Sequence, residues 1–451
     1  MIDTSSPPAH IPPGVADYFW NEAAQRRDLE YKLLDLCRGW GYSDIIPPTL
    51  EYADTLAAAS DATQQALIHR FQDNDGHTLA LRYDMTLAIA RLMGTRLHDA
   101  PMPQRFCYAG SVFRHGEPLA GQQREFWQAG VELIGANSAE ADGEILALTA
   151  KALEAAGLHD FRLAVGQIRY FHGILHALNL DPAARVMLQR AVMRKSEPDL
   201  HDFLTHAQPT ARQQATIEGF LALVGSEKDG WNSVLTAAES FCLNDEMHVA
   251  LENLRAIRSV LEAYGVAHYL HLDLTEVRSL GYYTGITFQA LVPGLGQGVA
   301  GGGRYDNLIG TFGPAQPAVG VALGLERILL ARKIQANQSV NSALEKESGR
   351  YAPDILVSTN GHAACYKLID EWRQQGIRAA IDVNGSDAST LWGLAQHMAI
   401  PRVLVWTDNG FNVYDDPEQV KTPATLVSQA EIQSYIVGIL QANSNPAEAM
   451  S

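Results

Sequence analysis

The stretch Phe113-Arg-His-Gly-Glu-Pro-Leu-Ala-Gly-Gln-Gln-Arg-Glu-Phe-Trp-Gln128 sets Arg114 and Arg124 on two arms joined by a glycine-bearing turn. A guanidinium is unfavourable to bury on a sheet unless it meets an anion, and its planar fork suits carboxylate or phosphate. The two arginines either face such a ligand or pair with Glu117, Glu125 or Glu132 at the surface, and spacing alone leaves both open. The second arm runs on as Arg124–Ile134. There Gln128 and Glu132 fall on one side by period two and form either the polar wall of a pocket or a solvated sheet face.

Working outward, Arg105–Arg114 and Arg124–Ile134 read as a strand pair, with Leu79–Leu81 as a buried strand before them and a helix over Leu87–Met93. The text Arg82-Tyr-Asp-Met-Thr86 continues that first strand with polar residues at every second position, Arg82, Asp84 and Thr86. Before these, Leu29, Leu33 and Leu36 predict a helix over Asn21–Cys37 that stops at Gly39 and Gly41, and Pro47-Pro48 predicts an extended edge. Ala139–Ala156 reads as a helix closed by Gly157, and Phe161–Val165 as another strand.

Residues 168–264 are helical in pattern and rich in Ala, Leu, Gln and Arg. Strands return at Gly281–Val292 and near Val299, and Ala318–Ala331 reads as a closing helix. The polar run 335–350 marks a linker. Beyond it, strands at Asp354–Ser358, Ile377–Val383 and Arg402–Trp406 alternate with helices at His362–Gln375 and Ala388–His397, the signature of a parallel α/β domain.

Composition bounds the partners. A chain of 451 residues with 47 % hydrophobic and 19 % charged residues has material for two or three ordinary folded domains. Its net charge of −17 and lack of a basic run argue against a nucleic-acid grip. The four cysteines, Cys37, Cys107, Cys242 and Cys365, form no C-x-x-C pair and are expected as buried reduced thiols. No metal-ligand motif is present, no apolar run reaches membrane-spanning length, and the polar N-terminus has no signal-like core, which together predict a cytoplasmic protein. Gly296-Gln-Gly-Val-Ala-Gly301 matches a dinucleotide fingerprint in letters only. It lies between two strands instead of opening a helix, so no cofactor is expected.

Glu276-Val-Arg-Ser-Leu-Gly-Tyr-Tyr-Thr-Gly285 adds Arg278 and the hydroxyls of Tyr282 and Tyr283 before a strand. Taken together, these segments resemble the core of a class II histidyl-tRNA synthetase over nearly the whole chain. Phe113-Arg-His with Arg124-Glu-Phe-Trp-Gln is similar to motif 2 of that family, Arg278 with Gly281-Tyr-Tyr-Thr-Gly to its histidine-specific motif, and Gly301-Gly-Gly-Arg-Tyr-Asp306 with Pro317–Arg327 to its closing segment and motif 3. The resemblance implies an α+β fold: an antiparallel sheet with helices, a helical insertion and a C-terminal α/β domain similar to the anticodon-binding domain. The expected parts are residues 1–167 and 265–333 for the core, 168–264 for the insertion, 334–352 for the linker and 353–443 for the last domain.

The family holds both tRNA-charging enzymes and regulatory subunits of ATP phosphoribosyltransferase, which join a short catalytic chain and confer feedback inhibition by histidine. Arg82-Tyr-Asp-Met-Thr86 is similar to the Arg-x-Asp-Met-Thr of the regulators, where the enzymes carry Arg-Pro-Glu-Gly-Thr. Gly116 and Gln122 stand where the enzymes carry a glutamate and an arginine. Losing two charge-assisted contacts of roughly 1.5–3 kcal/mol each weakens ATP binding. Gly14-Val-Ala-Asp17 and Val165–His172 also resemble the regulators, whereas Arg114, Arg278, Arg327 and the C-terminal domain are features the enzymes share.

The resemblance thus implies a non-catalytic regulatory subunit with histidine as effector, a homodimeric core within a hetero-oligomer, and no tRNA. It places Asp84 and Thr86 on the ammonium of histidine, Arg278 on its carboxylate, Gln128, Glu132, Tyr282 and Tyr283 on its ring and edges, and Arg114 on an anion. Arg124 and Arg327 would keep a residual phosphate role. The alternatives are an active histidine–tRNA ligase and a histidine-binding module with another partner.

Overall fold

The computed structural model describes residues 10–116, 123–223, 230–276, 282–338, 352–415, 425–428 and 430–444. The chain divides into two compact units, Met1–Asp17 with Arg26–Gln338 and Tyr18–Gln25 with Ser339–Ser451.

The first unit is built on an eight-stranded sheet. Its strands run in the spatial order Ser43–Asp44, Gln104–Phe113, Glu125–Ile134, Ala318–Gly324, Ala300–Arg304, Ile286–Leu291, Arg162–Gln167, Leu270–Leu272. The outermost pairs are parallel and everything between them antiparallel. Strict alternation along Glu125–Ile134 sends Ala129, Val131 and Leu133 to one face, where they join the core beneath helix Ala139–Ala155. That helix starts on Ser138, whose hydroxyl oxygen accepts from the Ala141 N–H, and buries Ile145, Leu146, Leu148 and Leu153. Each such aliphatic side chain contributes about 1.5–3 kcal/mol when removed from water. Helix Asp245–Ala263 packs over it in turn.

The opposite face holds Phe106, Tyr108 and Val112 against helix Met85–Thr95 and the segment around Tyr305 and Ile309. A small antiparallel sheet of Leu50–Tyr52, Thr78–Leu81 and Arg70–Gln72 flanks this side. Here the structure departs from the sequence reading. The strand that begins at Leu79 ends at Leu81, and Asp84 is the N-cap of the next helix, its carboxylate accepting from the Thr86 N–H at 2.7 Å. A capping Asp followed two residues on by Thr has the same period as a strand face, which is why the text misleads. Arg82 is buried for a structural reason: it donates to the carbonyls of Ser111 at 2.8 Å and Pro47 at 2.7 Å.

Ala318–Gly324 is a strand, and the helix starts only at Leu325. A short apolar run buried on both faces shows no period, and its valines and glycines suit the centre of a sheet. The glycine run Gly296–Gly301 leads from one strand of an antiparallel pair into the next, as its flanks predict. Between residues 168 and 263 the described residues form six helices and no strand. Cys37, Cys107 and Cys365 are buried free thiols, while Cys242 is only half-buried.

The second unit carries a sheet in the order Ala379–Ile381, Ile355–Ser358, Val403–Thr407, Gly410–Tyr414, Thr425–Ser428. The first three strands are parallel, as their βαβ spacing predicts, and the last two add antiparallel to the edge. Helix Ala363–Gln374 covers one face through Cys365, Ile369 and Trp372, and helix Ala388–His397 the other through Leu391 and Trp392.

Candidate functional site

A cavity of about 350 Å³ opens in the first unit, on the face of the large sheet away from helix Ala139–Ala155. This is the lower end of the roughly 300–1,000 Å³ common for small-ligand sites. Its lining includes the glycines Gly301 to Gly303 and Gly320. At Gly320 a Cβ would stand 1.8 Å from Glu132 Oε2 and 2.7 Å from the Val131 carbonyl oxygen.

Part of the lining is acidic. Asp84 and Thr86 reach it from the first turn of helix Met85–Thr95, and Glu132 from the middle of Glu125–Ile134. The Thr86 hydroxyl donates to Glu132 Oε1 at 2.7 Å, and the Tyr305 hydroxyl donates to Oε2. Glu132 is 1 % exposed. Burial pushes its carboxyl up to about 8, against the pull of the Tyr305 and Thr86 hydrogen bonds. The rings of Tyr282 and Tyr283 lie 4.7 Å apart on the adjoining wall, and Tyr282 meets Tyr305 edge-on at 6.1 Å. Burial raises the phenols of all three.

Part of the lining is basic. Arg114, just past the strand Gln104–Phe113, donates to the Tyr83 carbonyl at 3.2 Å and lies over the Phe126 ring at 4.9 Å. Arg327, in the first turn of helix Leu325–Gln338, donates to the Gly298 carbonyl at 3.0 Å. Burial, with the like charge of Arg114, lowers the Arg327 guanidinium below its ordinary range. Two cations facing one cavity call for an anion between them. Gln128 and Gln289 also line the cavity, and their buried carboxamide oxygens have no hydrogen-bond partner among the described residues. Buried acceptors of this kind are met in most proteins, so both fit a ligand that brings N–H groups.

Behind the wall runs a buried polar chain. Thr284 donates to Asp306 at 2.9 Å, and Arg304 reaches Asp306 at 3.0 Å and Asp142 at 2.8 Å. Asn253 then links Asp142 at 3.2 Å to Gln167 at 2.7 Å. Arg304 and Asp142 have side chains only 5 % and 2 % exposed, so their pairing is needed to keep both inside.

The cavity therefore gathers Asp84, Thr86, Arg114, Gln128, Glu132, Tyr282, Tyr283 and Arg327. Arg124 stands outside this lining: its Nε donates to the Gly116 carbonyl at 3.2 Å and its N–H to the Gly14 carbonyl at 2.6 Å. Arg278 and Gln122 lie outside the described residues. Tyr305, Phe126 and Gln289 join this lining beyond the residues expected there from sequence. The polar residues directly after the glycine run, Arg304-Tyr305-Asp306, are the signal that could have marked the first of them. Among the described residues no group of three or more His, Cys, Asp or Glu side chains is placed to hold a metal ion.

A family model described as histidyl-tRNA synthetase matches residues 14–328. An ATP phosphoribosyltransferase regulatory subunit of Syntrophotalea carbinolica is 36 % identical over 410 residues, 90 % of this chain and 92 % of the relative. The chain belongs to the ATP phosphoribosyltransferase regulatory subunit family. A second member of this regulatory-subunit family, from Moorella thermoacetica, is 39 % identical over 378 residues, 84 % of this chain and 93 % of the relative. The likeness extends to three dimensions. A solved Bacillus halodurans structure, described as an ATP phosphoribosyltransferase regulatory subunit/histidyl-tRNA synthetase, has a TM-score of 0.75 and 27 % identity. It covers 89 % of this chain and 99 % of its own. The fold is thus the α+β class II synthetase-like one.

Proposed function

We propose that this chain is a cytoplasmic regulatory subunit that does not itself catalyse. It binds histidine in the cavity and passes that occupancy to a short ATP phosphoribosyltransferase catalytic subunit, conferring feedback inhibition. The observation that carries the reading is the mixed charge of one small cavity, lined by the acids Asp84 and Glu132 and by the bases Arg114 and Arg327. An α-amino acid carries both complementary charges, and the imidazole of histidine adds a ring nitrogen for Glu132 and for the open oxygen of Gln128. Arg278, outside the described residues, is assigned to the histidine carboxylate with Arg114 beside it, and Arg124 and Arg327 to residual anion binding.

Regulation follows from linkage. If histidine binds the inhibited state of the complex more tightly, occupancy shifts the population toward it, and the partner in that state tightens histidine binding by the same factor. A homodimeric core inside a hetero-oligomer, the division at residues 167, 264, 333 and 352 and an anticodon-domain-like role for residues 353–443 complete the proposal. No tRNA enters it.

A histidine–tRNA ligase is the second reading. The retention of Arg114 and Arg327 on one cavity favours it, because adenylate formation needs cations around phosphate. Calorimetry with L-histidine, together with histidine-dependent exchange of pyrophosphate into ATP, separates the two. Binding without exchange supports the regulator, whereas robust exchange sinks it in favour of the ligase. Histidine affinity that is identical with and without the catalytic subunit in every ligand state would overturn the linkage mechanism.

A further inference from the structure

Glu132 has surroundings unlike those of a carboxylate kept charged. On every side it meets hydroxyls or another acid. Thr86 and Asp84 face it from the start of helix Met85–Thr95, Tyr108 from the neighbouring strand Gln104–Phe113, Tyr305 from the segment after Ala300–Arg304, and Tyr282 and Tyr283 from the cavity wall. The strand Ala318–Gly324 presents only Gly320 to it. Among the described residues no cationic side chain is bonded to it. The positive end of helix Met85–Thr95 is already met by the capping carboxylate of Asp84. A buried acid with no counter-charge takes a proton instead of remaining ionised, and with none bonded to it among the described residues burial raises this one accordingly.

We propose that Glu132 enters the complex as a neutral carboxylic acid and passes its proton to the ring of the bound histidine, so that the ligand sits as an imidazolium against a carboxylate charged only when the cavity is occupied. The inference rests on the histidine reading above. In the transfer the O–H bond of Glu132 breaks and an N–H bond forms on the ring. One positive and one negative charge appear together, and the cavity's net charge and proton count stay fixed. The attraction between the new imidazolium and the carboxylate beside it drives the transfer, and the Thr86 and Tyr305 hydroxyls, already donating to the two oxygens, hold the carboxylate in place. Glu132 is then a residue that selects for ring basicity. An amino acid of the same shape with a less basic azole ring accepts the proton poorly and binds more weakly, although it fills the same volume.

The test is nitrogen NMR of L-histidine labelled in the ring, bound to the full chain at about pH 7.5, one unit above the ordinary ring pKa of about 6.5, where the free ring is mostly neutral. The expected result is that both bound ring nitrogens carry a proton, and that Glu132→Gln weakens binding roughly tenfold or more and returns the bound ring to its neutral form. A bound ring with one bare nitrogen in the unaltered protein overturns the proton transfer and leaves the histidine reading standing. An imidazolium that persists in Glu132→Gln overturns Glu132 as the donor. Absence of any bound histidine overturns both readings together.

Discussion

Replacing Gly320 with alanine tests the geometry around Glu132 directly. The new Cβ would stand 1.8 Å from Oε2, so the carboxyl must retreat by about 1.6 Å to reach the 3.4 Å of ordinary contact. Retreat breaks the hydroxyl bonds from Thr86 and Tyr305, each worth about 0.5–1.5 kcal/mol. The alternative is for the strand to move, and overpacking a core costs about 1–3 kcal/mol. Either route costs about 1–3 kcal/mol of stability, and the displaced carboxyl loses a charge-assisted contact of about 1.5–3 kcal/mol to the ligand, a roughly 10- to 150-fold loss of histidine affinity.

Calorimetric titration of Gly320→Ala with L-histidine reads the loss, and denaturant unfolding reads the strain. A double-mutant cycle isolates the cause: in a Glu132→Ala background the methyl has no carboxyl to displace and meets the Val131 carbonyl oxygen, 2.7 Å from the Cβ, so the added destabilisation should be smaller than in the wild-type background. Wild-type affinity and stability in Gly320→Ala would refute the reasoning outright.

Asp142→Ala leaves Arg304 buried with a lost partner and should destabilise the first unit by about 3–5 kcal/mol, while Asp142→Leu with Arg304→Met recovers most of it in urea unfolding. Glu132 makes stability depend on pH: its folded pKa of about 8 lies above its ordinary 4.5. The folded chain then holds a proton that the unfolded chain has released, so this stabilisation is full below 4.5 and fades as pH rises to about 8. Unfolding curves of the wild type should show that decline, and those of Glu132→Gln should lack it. Arg114→Met keeps the contact with Phe126 but removes the charge, and calorimetry should show histidine binding weakened roughly tenfold. Unchanged affinity would remove Arg114 from the ligand's carboxylate end.

Sequence exposed the parts of this molecule that obey local rules. Gln128 and Glu132 share a face because a strand has period two, and the βαβ alternation after residue 352 announces its parallel strands. Two kinds of feature were hidden. Asp84 and Thr86 match a strand in period while in fact starting a helix, since a cap differs from a strand only in which N–H the carboxylate accepts. Ala318–Gly324 carries no period because both its faces are buried. Tyr305 and Gln289 owe their place to contacts between distant strands, which no window of sequence contains. The strands Gly410–Tyr414 and Thr425–Ser428 were missed as well.

The strand in the middle of the large sheet, Ala318–Gly324, is the last of its eight to leave the ribosome. Until it arrives, Glu125–Ile134 and Ala300–Arg304 have no neighbour to join them, and each offers an open edge that can recruit another chain. A nascent chain released before residue 318 therefore lacks the seam of its sheet. The same absent strand carries Gly320, the residue beside Glu132, so the cavity lining is complete only once translation has run past that point.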